Sequence, residues 1–172
     1  YCFINLYQTS LGHIVISSAD PDSKQTDNLN LHDCSALSQV IRGYERKGIA
    51  YFNFGLESGC SQMHKHMQYT TLTYNPLFDE MKKYDNYKHS SLGIKFFASK
   101  LTDDNPHTIY DSYMGLLEKF FECSEKLRSK ITAYNFVISE GYAILVPRKL
   151  SVHPRLRISL NSLGVCGHYF IW

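Results

Sequence analysis

The chain of 172 residues is 44% hydrophobic and 20% charged, with a formal net charge of +2. This length suits a single domain with an adequate core, and the charge is too small to argue for binding to nucleic acid or to a membrane surface. The sequence has no apolar run of about 18 residues, which a membrane-spanning helix would need. Its five cysteines are scattered without a Cys-x-x-Cys pair, which is typical of reduced thiols in an intracellular and, we expect, cytoplasmic protein.

The first part of the chain predicts a hairpin, a loop and a helix. Apolar runs at 1–8 and 13–18 flank a turn, which indicates two paired strands. A polar loop covers 20–30. The pattern then predicts a helix over 31–47, with Asn30 as its N-cap and Gly48 as its C-terminal stop.

The middle of the chain predicts three strands with a polar segment between the last two. We expect strands at 49–54 and 64–72, the second ending at Asn75-Pro76. Residues 77–92 are read as a short helix and a loop, and 94–99 as another strand.

The remainder predicts a long helix, a hairpin and a final strand. Asn105-Pro106 is a suitable cap and first turn. An apolar face at helical spacing follows it: Ile109, Tyr113, Leu116, Leu117, Phe120 and Leu127. A hairpin is expected over 132–147, and 158–172 is read as a turn feeding a last strand. Strands mixed with two main helices indicate a single α+β domain over 1–172, built on an antiparallel sheet.

A polar stretch between residues 53 and 68 stands out from these elements. Successive side chains of a strand point to opposite faces, so His64, His66 and Gln68 are expected on one side. The preceding Ser58-Gly59-Cys60-Ser61 predicts a turn whose backbone N–H groups can surround an anion. Together these features indicate a site for phosphate chemistry.

Other residue-level readings remain open beside this one. His64 and His66 are also candidate metal ligands, although no third ligand stands nearby in the sequence. Cys60 is taken as a bystander, and His13 as structural rather than catalytic. Arg148 is read as a surface arginine that is able to reach a phosphate.

With this motif, the sequence resembles the histidine-triad superfamily, in the branch with His-x-His-x-Gln, and within it the fungal type of ATP adenylyltransferase, also called diadenosine tetraphosphate phosphorylase. Galactose-1-phosphate uridylyltransferase shares the short core of the motif. The matching pieces are Gly12-His13, Gln25-Thr26, the motif from Asn53 to Gln68, Tyr134-Asn135, Val146-Pro147-Arg148 and Ser159 to Gly164.

The resemblance implies a nucleotidyltransferase with a histidine-triad-like fold. Its substrates would be an adenine dinucleoside polyphosphate and inorganic phosphate, and its products ATP and ADP. His66 would be the nucleophile that forms an adenylyl-histidine, with His64 and Gln68 as its catalytic companions. The residues implied to bind the substrate are Asn53, Ser58, Gly59, Ser61, Gln62, Gln25, Thr26, Asn161 and Ser162. No cofactor is implied, although a divalent cation commonly accompanies a polyphosphate.

The sequence also departs from the family. Family members are longer, so we expect the chain to lack their N-terminal segment, and a lysine expected after Gly164 is absent. Both ends are apolar, which suggests that a protein partner covers them. The apolar ends keep one alternative open, a non-catalytic scaffold subunit of a larger assembly. The motif shared with galactose-1-phosphate uridylyltransferase leaves a further one, an enzyme that acts on a nucleotide sugar.

Overall fold

A computed structural model describes residues 1–6, 8, 10, 12–82, 94–126 and 131–168. In chain order its elements are β1 (Cys2–Ile4), β2 (Ile14–Ser17), α1 (Leu31–Gly43), β3 (Ile49–Phe54), a single 3-10 turn (Leu56–Ser58), β4 (His66–Thr70), α2 (Pro76–Lys82), β5 (Phe97–Lys100), α3 (Pro106–Lys126), β6 (Ala133–Ser139), β7 (Tyr142–Arg148) and α4 (Ser162–Val165).

The described strands form one seven-stranded sheet in the order β1-β2-β4-β3-β6-β7-β5, and every neighbouring pair is antiparallel. The predicted α+β class and antiparallel sheet are thus confirmed. Among the described residues, no helix is both long and apolar enough to cross a membrane.

The two faces of the sheet are covered differently. Alternate residues such as Phe52, Met67 and Tyr69 pack on one face against the long helices α1 and α3. The intervening residues, such as Tyr51 and Val137, point to the other face, where α2 and α4 cover only part of it. The remaining area, over β2, β4 and the end of β3, is open to a ligand.

The first predicted helix begins correctly but ends early. Asn30 is its N-cap, and Asn30 and Asp33 accept from each other's backbone N–H in a capping box. The helix ends at Gly43 rather than at 47, because the chain turns through positive φ at Glu45 and Arg46. Gly48 is therefore not the helix stop.

Two further strand predictions need correction. The β5 strand begins at Phe97 instead of Ile94, and β4 spans only His66–Thr70, with His64 in an isolated bridge to Lys24. Where a turn was expected near Gly164, the chain forms the short helix α4. Part of the turn at 9–12, residues 83–92, Leu127 and the end of the predicted last strand lie outside the described residues.

A buried ion pair fastens the strand that carries the histidines to the helical face. Lys65 is only 4% exposed. Its ammonium group lies 2.6 Å from the Asp33 carboxylate and donates to the carbonyl of Asn28. Because Lys65 alternates with His64 and His66, its side chain points away from theirs. The ion pair therefore fixes the backbone beneath the candidate site.

Candidate active site

The open part of the sheet forms a pocket of about 540 Å³, a volume typical of small-molecule sites. Its floor comes from β2 and β4, and its sides come from β1, the turn after β3 and the segment before α4. The residues that line it are Phe3, Asn5, His13, Val15, Ser17, Asn53, Gly59, Cys60, Ser61, Gln62, His64, His66, Gln68 and Asn161.

His66 lies at the centre of the predicted chemistry, and its ring is held in one tautomer. The ring Nδ1 lies 2.9 Å from the carbonyl oxygen of His64, which can only accept, so Nδ1 carries the proton. The other nitrogen, Nε2, then keeps its lone pair. Burial lowers the pKa of His66, and this effect outweighs the hydrogen bond to the His64 carbonyl, which raises it. At neutral pH the ring is therefore uncharged, which is the form in which an imidazole can act as a nucleophile.

The three motif residues reach the same pocket, as the alternation predicts. His64 Nε2 donates to the carbonyl of Ser18 at 3.1 Å. Gln68 sits between β2 and β3, opposite Val15 and Tyr51. The Gln68 Oε1 atom lies 2.7 Å from His13 Nε2 and 3.1 Å from the Tyr51 hydroxyl. The structure thus places His13, which the sequence marked only as structural, in the wall of the pocket.

The turn after β3 provides backbone groups beside His66. Gly59 has φ +83°, and a Cβ atom there would lie 2.5 Å from the carbonyl oxygen of Leu160. Glycine is thus required both for the conformation and for the close approach. Ser61 and Gln62 line the pocket and are exposed. Ser58 is instead fully buried, and its hydroxyl donates to the carbonyl of Gly55.

Asn53, on β3, connects β6 to the start of α4. Its Oδ1 accepts from Asn135 Nδ2 at 2.8 Å, from Ser162 Oγ at 2.6 Å and from the Ser162 backbone N–H at 3.1 Å. Ser162 is therefore buried behind the pocket rather than on its surface. Asn161 lines the pocket, and its own side chain caps α4 by accepting from the Gly164 N–H.

The prediction that Arg148 is a surface arginine is wrong. Its side chain is buried, with only 8% of the residue exposed. Its guanidinium donates to Asn135 Oδ1 and to the carbonyls of Ser58, Leu150 and Leu160. Within the described part of the chain, no carboxylate forms a salt bridge with it. Its positive charge therefore lies uncompensated behind the Gly59 turn, where it favours an anion.

Gln25 and Thr26, which the resemblance placed against the nucleotide, do not line the pocket. Gln25 is fully buried: its Nε2 donates to the carbonyls of Asn53 and His66, and its Oε1 accepts from the His66 N–H. It thus joins the end of β3 to the start of β4. Thr26 is exposed on the loop beside it.

Two further chemical readings can be compared with the structure. Cys60 lines the pocket, but burial raises the pKa of its thiol, which keeps it protonated at neutral pH. No cluster of three or more His, Cys, Asp or Glu side chains suited to a metal ion occurs among the residues that the structure describes.

Solved structures with the same fold are known. The crystal structure of yeast Ap4A phosphorylase Apa2 with AMP superposes with a TM-score of 0.81 at 20% identity, covering 96% of this chain and 62% of that one. The complex of the same protein with Ap4A gives 0.78 at 18% identity, covering 96% and 63%. A DUF4931 family protein from Bacillus cereus gives 0.58 at 16% identity, covering 89% and 83%. This chain thus spans less than two thirds of the yeast protein.

Sequence profiles of families add to the likeness of fold. No curated protein matches the chain in sequence. The profile of the Ap4A phosphorylase N-terminal domain matches residues 1–83. The profile of the ATP adenylyltransferase C-terminal domain matches residues 50–172, which is most of the chain and includes the His-x-His-x-Gln motif. The chain therefore belongs to the family of Ap4A phosphorylases and ATP adenylyltransferases.

Proposed function

We propose that this chain transfers an adenylyl group from a dinucleoside polyphosphate to phosphate through His66. His66 Nε2 attacks the α-phosphorus of diadenosine tetraphosphate, a nitrogen–phosphorus bond forms, and the bond to the polyphosphate breaks to release ATP. An oxygen of inorganic phosphate then attacks the same phosphorus, and ADP leaves His66. The observation that carries the proposal is the bond from His66 Nδ1 to the His64 carbonyl, because it leaves Nε2 unprotonated in the pocket.

The surroundings of His66 suit a covalent step of this kind. Forming an adenylyl-histidine divides one difficult displacement into two easier ones. A polyphosphate leaving group is a weak base and needs little protonation, so the main requirement is to stabilise charge on the phosphoryl oxygens. The amide of Gln68, the Gly59 turn and the charge of Arg148 behind it supply donors and positive potential for this purpose.

The residue at position 68 also bears on the acceptor. Glutamine cannot take a proton at neutral pH, so it gives no help to an attacking water molecule. Inorganic phosphate arrives already ionised and needs no base. The site therefore favours transfer to phosphate over hydrolysis.

Detection of the adenylyl adduct on His66 tests the proposed function. Intact-protein mass is measured after brief incubation of the full chain with diadenosine tetraphosphate in the absence of phosphate. We expect a gain of one AMP moiety in the wild type and in Cys60→Ala, and none in His66→Ala. Phosphate is then expected to discharge the adduct as ADP. Cys60→Ala is the control because the Cys60 thiol is a second potential nucleophile in the pocket wall.

Other outcomes would contradict the proposal. An adduct that persists in His66→Ala would assign the nucleophile elsewhere, and an adduct obtained only from a uridine nucleotide sugar would favour uridylyl transfer. Neither adduct formation nor nucleotide binding in a folded wild type would favour the scaffold subunit.

The pH dependence of adduct formation should reflect the buried imidazole. Because the pKa of His66 is lowered from 6.5, its reactive neutral form persists to lower pH than that of a free imidazole. We expect the single-turnover rate to be level at pH 7 and to fall with a midpoint below 6.5. Protonation is also easier in the unfolded chain, so the unfolding free energy should decline as pH falls below 6.5, and less so in His66→Ala. A midpoint above 6.5 would contradict this assignment.

A further inference from the structure

The amide of Gln68 has two chemically different ends of nearly the same shape. Its NH2 group donates hydrogen bonds, whereas its oxygen only accepts them. Turned towards a phosphoryl group, the NH2 end would stabilise the charge and the oxygen would repel it. A rotation of half a turn about the last side-chain bond exchanges the two, so the site needs something that selects one orientation.

The contacts around Gln68 make this selection. Oε1 of Gln68 lies 2.7 Å from His13 Nε2 and 3.1 Å from the Tyr51 hydroxyl. A hydroxyl can donate or accept, so Tyr51 alone would tolerate either amide orientation. A neutral imidazole nitrogen that carries a proton can only donate. The selection therefore depends on which nitrogen of His13 is protonated.

A third residue determines that tautomer. The Asn5 Nδ2 group lies 3.4 Å from His13 Nδ1 and offers it a proton, so Nδ1 accepts and Nε2 carries the hydrogen. Burial lowers the pKa of His13, which keeps the ring neutral with a single proton. His13 is only 3% exposed, and Tyr51 approaches within 3.2 Å of the same Nε2.

We propose that His13, supported by Tyr51, is a positioning residue that holds Gln68 Oε1 and thereby turns the Gln68 NH2 group to the transferred phosphoryl group. The hydrogen bonds then all run in one direction: Asn5 donates to His13, His13 donates to Gln68, and Gln68 donates to the ligand. No residue in the described part of the chain accepts from Gln68 Nε2, and Gln68 and His66 line the same pocket two positions apart on β4. The inference rests on the proposed function for its substrate, and on the hydrogen bonds for its geometry.

A paired substitution tests whether the donor at Nε2 matters. In His13→Gln the side-chain NH2 can reach the position of the imidazole Nε2, whereas the shorter amide of His13→Asn reaches only that of Nδ1. We expect His13→Asn to slow single-turnover adduct formation by on the order of tenfold, as expected for a misdirected donor, and His13→Gln to recover most of the rate. Thermal unfolding of both variants checks that they are equally folded.

A double-mutant cycle then tests whether His13 acts through Gln68. In the Gln68→Ala background, His13→Asn should cause no further loss of rate, because there is no amide left to orient. Equal losses in both backgrounds would overturn the proposal, and so would failure of His13→Gln to restore the rate in a folded protein.

A measurement without substrate separates this inference from the proposed function. Nitrogen-15 NMR of the free wild type should show His13 as the Nε2-protonated tautomer, and the Nδ1-protonated tautomer would overturn the inference. If the wild type forms no adduct, the proposed function fails. In that case the wild type, His13→Asn, Gln68→Ala and the double variant are compared by their dissociation constants for AMP. A non-additive loss of affinity supports the positioning role, and an additive loss overturns it.

Discussion

Gly59→Ala is expected to slow adduct formation by about a hundredfold or more and to destabilise the fold. A Cβ atom at this position would lie 2.5 Å from the Leu160 carbonyl oxygen and 3.0 Å from Asn161 Cα, so the turn or the facing segment must move. Both line the pocket beside His66. A displacement of about 1 Å in a group that positions substrate is enough for a loss of this size. Single-turnover kinetics and denaturant unfolding of the variant give the two quantities.

A second glycine offers a matched control for the backbone strain. Gly141 has φ +78°, close to the +83° of Gly59, but a Cβ atom there would meet nothing within 4 Å. Gly141→Ala should cost about 1–2 kcal/mol for the left-handed conformation alone and leave the rate of adduct formation unchanged. If both variants lost the same stability and kept the same rate, the contact of Gly59 with the Leu160 segment would have no functional role.

Arg148→Met is expected to reduce the free energy of unfolding by about 3 kcal/mol or more. Methionine fills much of the volume but donates nothing, so the buried Asn135 Oδ1 and three carbonyls lose their shared donor. The positive charge behind the Gly59 turn is lost as well. We therefore expect weaker binding of AMP in addition to the lower stability, measured by calorimetry at a temperature where the variant is folded.

Lys149→Met is the control for Arg148, because it removes the same charge from the adjacent, exposed position. Its effect on stability should stay within about 0.5 kcal/mol. Equal loss of AMP affinity in the two variants would show that net charge, rather than the buried guanidinium, is responsible for the binding.

Much of the fold could be predicted because its signals are local. The apolar spacing behind Asn105-Pro106 specifies α3, and Asn30 with Asp33 specifies the start of α1. The end of α1 was predicted at the wrong place because Gly48 has another role. Its φ is +131°, and a Cβ atom there would collide with the Thr70 carbonyl oxygen on β4. That contact joins distant parts of the chain and leaves no local pattern.

The same distinction between local and distant contacts explains which residues of the candidate site could be predicted from the sequence. His64, His66 and Gln68 are neighbours on one strand, so strand alternation alone brings them together. His13 reaches Gln68 from 55 positions away, and Arg148 reaches Ser58 from 90 positions away. Only strand register and burial determine those contacts. One signal was available for His13: it alternates with Val15 and Ser17, which face the same pocket from β2.

The alternation of β4 also protects the site against errors during folding. If β4 paired with its neighbours one residue out of step, every side chain would change faces. Met67 and Tyr69 would leave the core, and Lys65 would lose Asp33 and enter the pocket. Such a misfolded form would lose an ion pair and apolar burial at once. The same alternation that places His66 in the pocket thus makes the wrong register costly, so nearly all folded molecules should carry His66 on the pocket face.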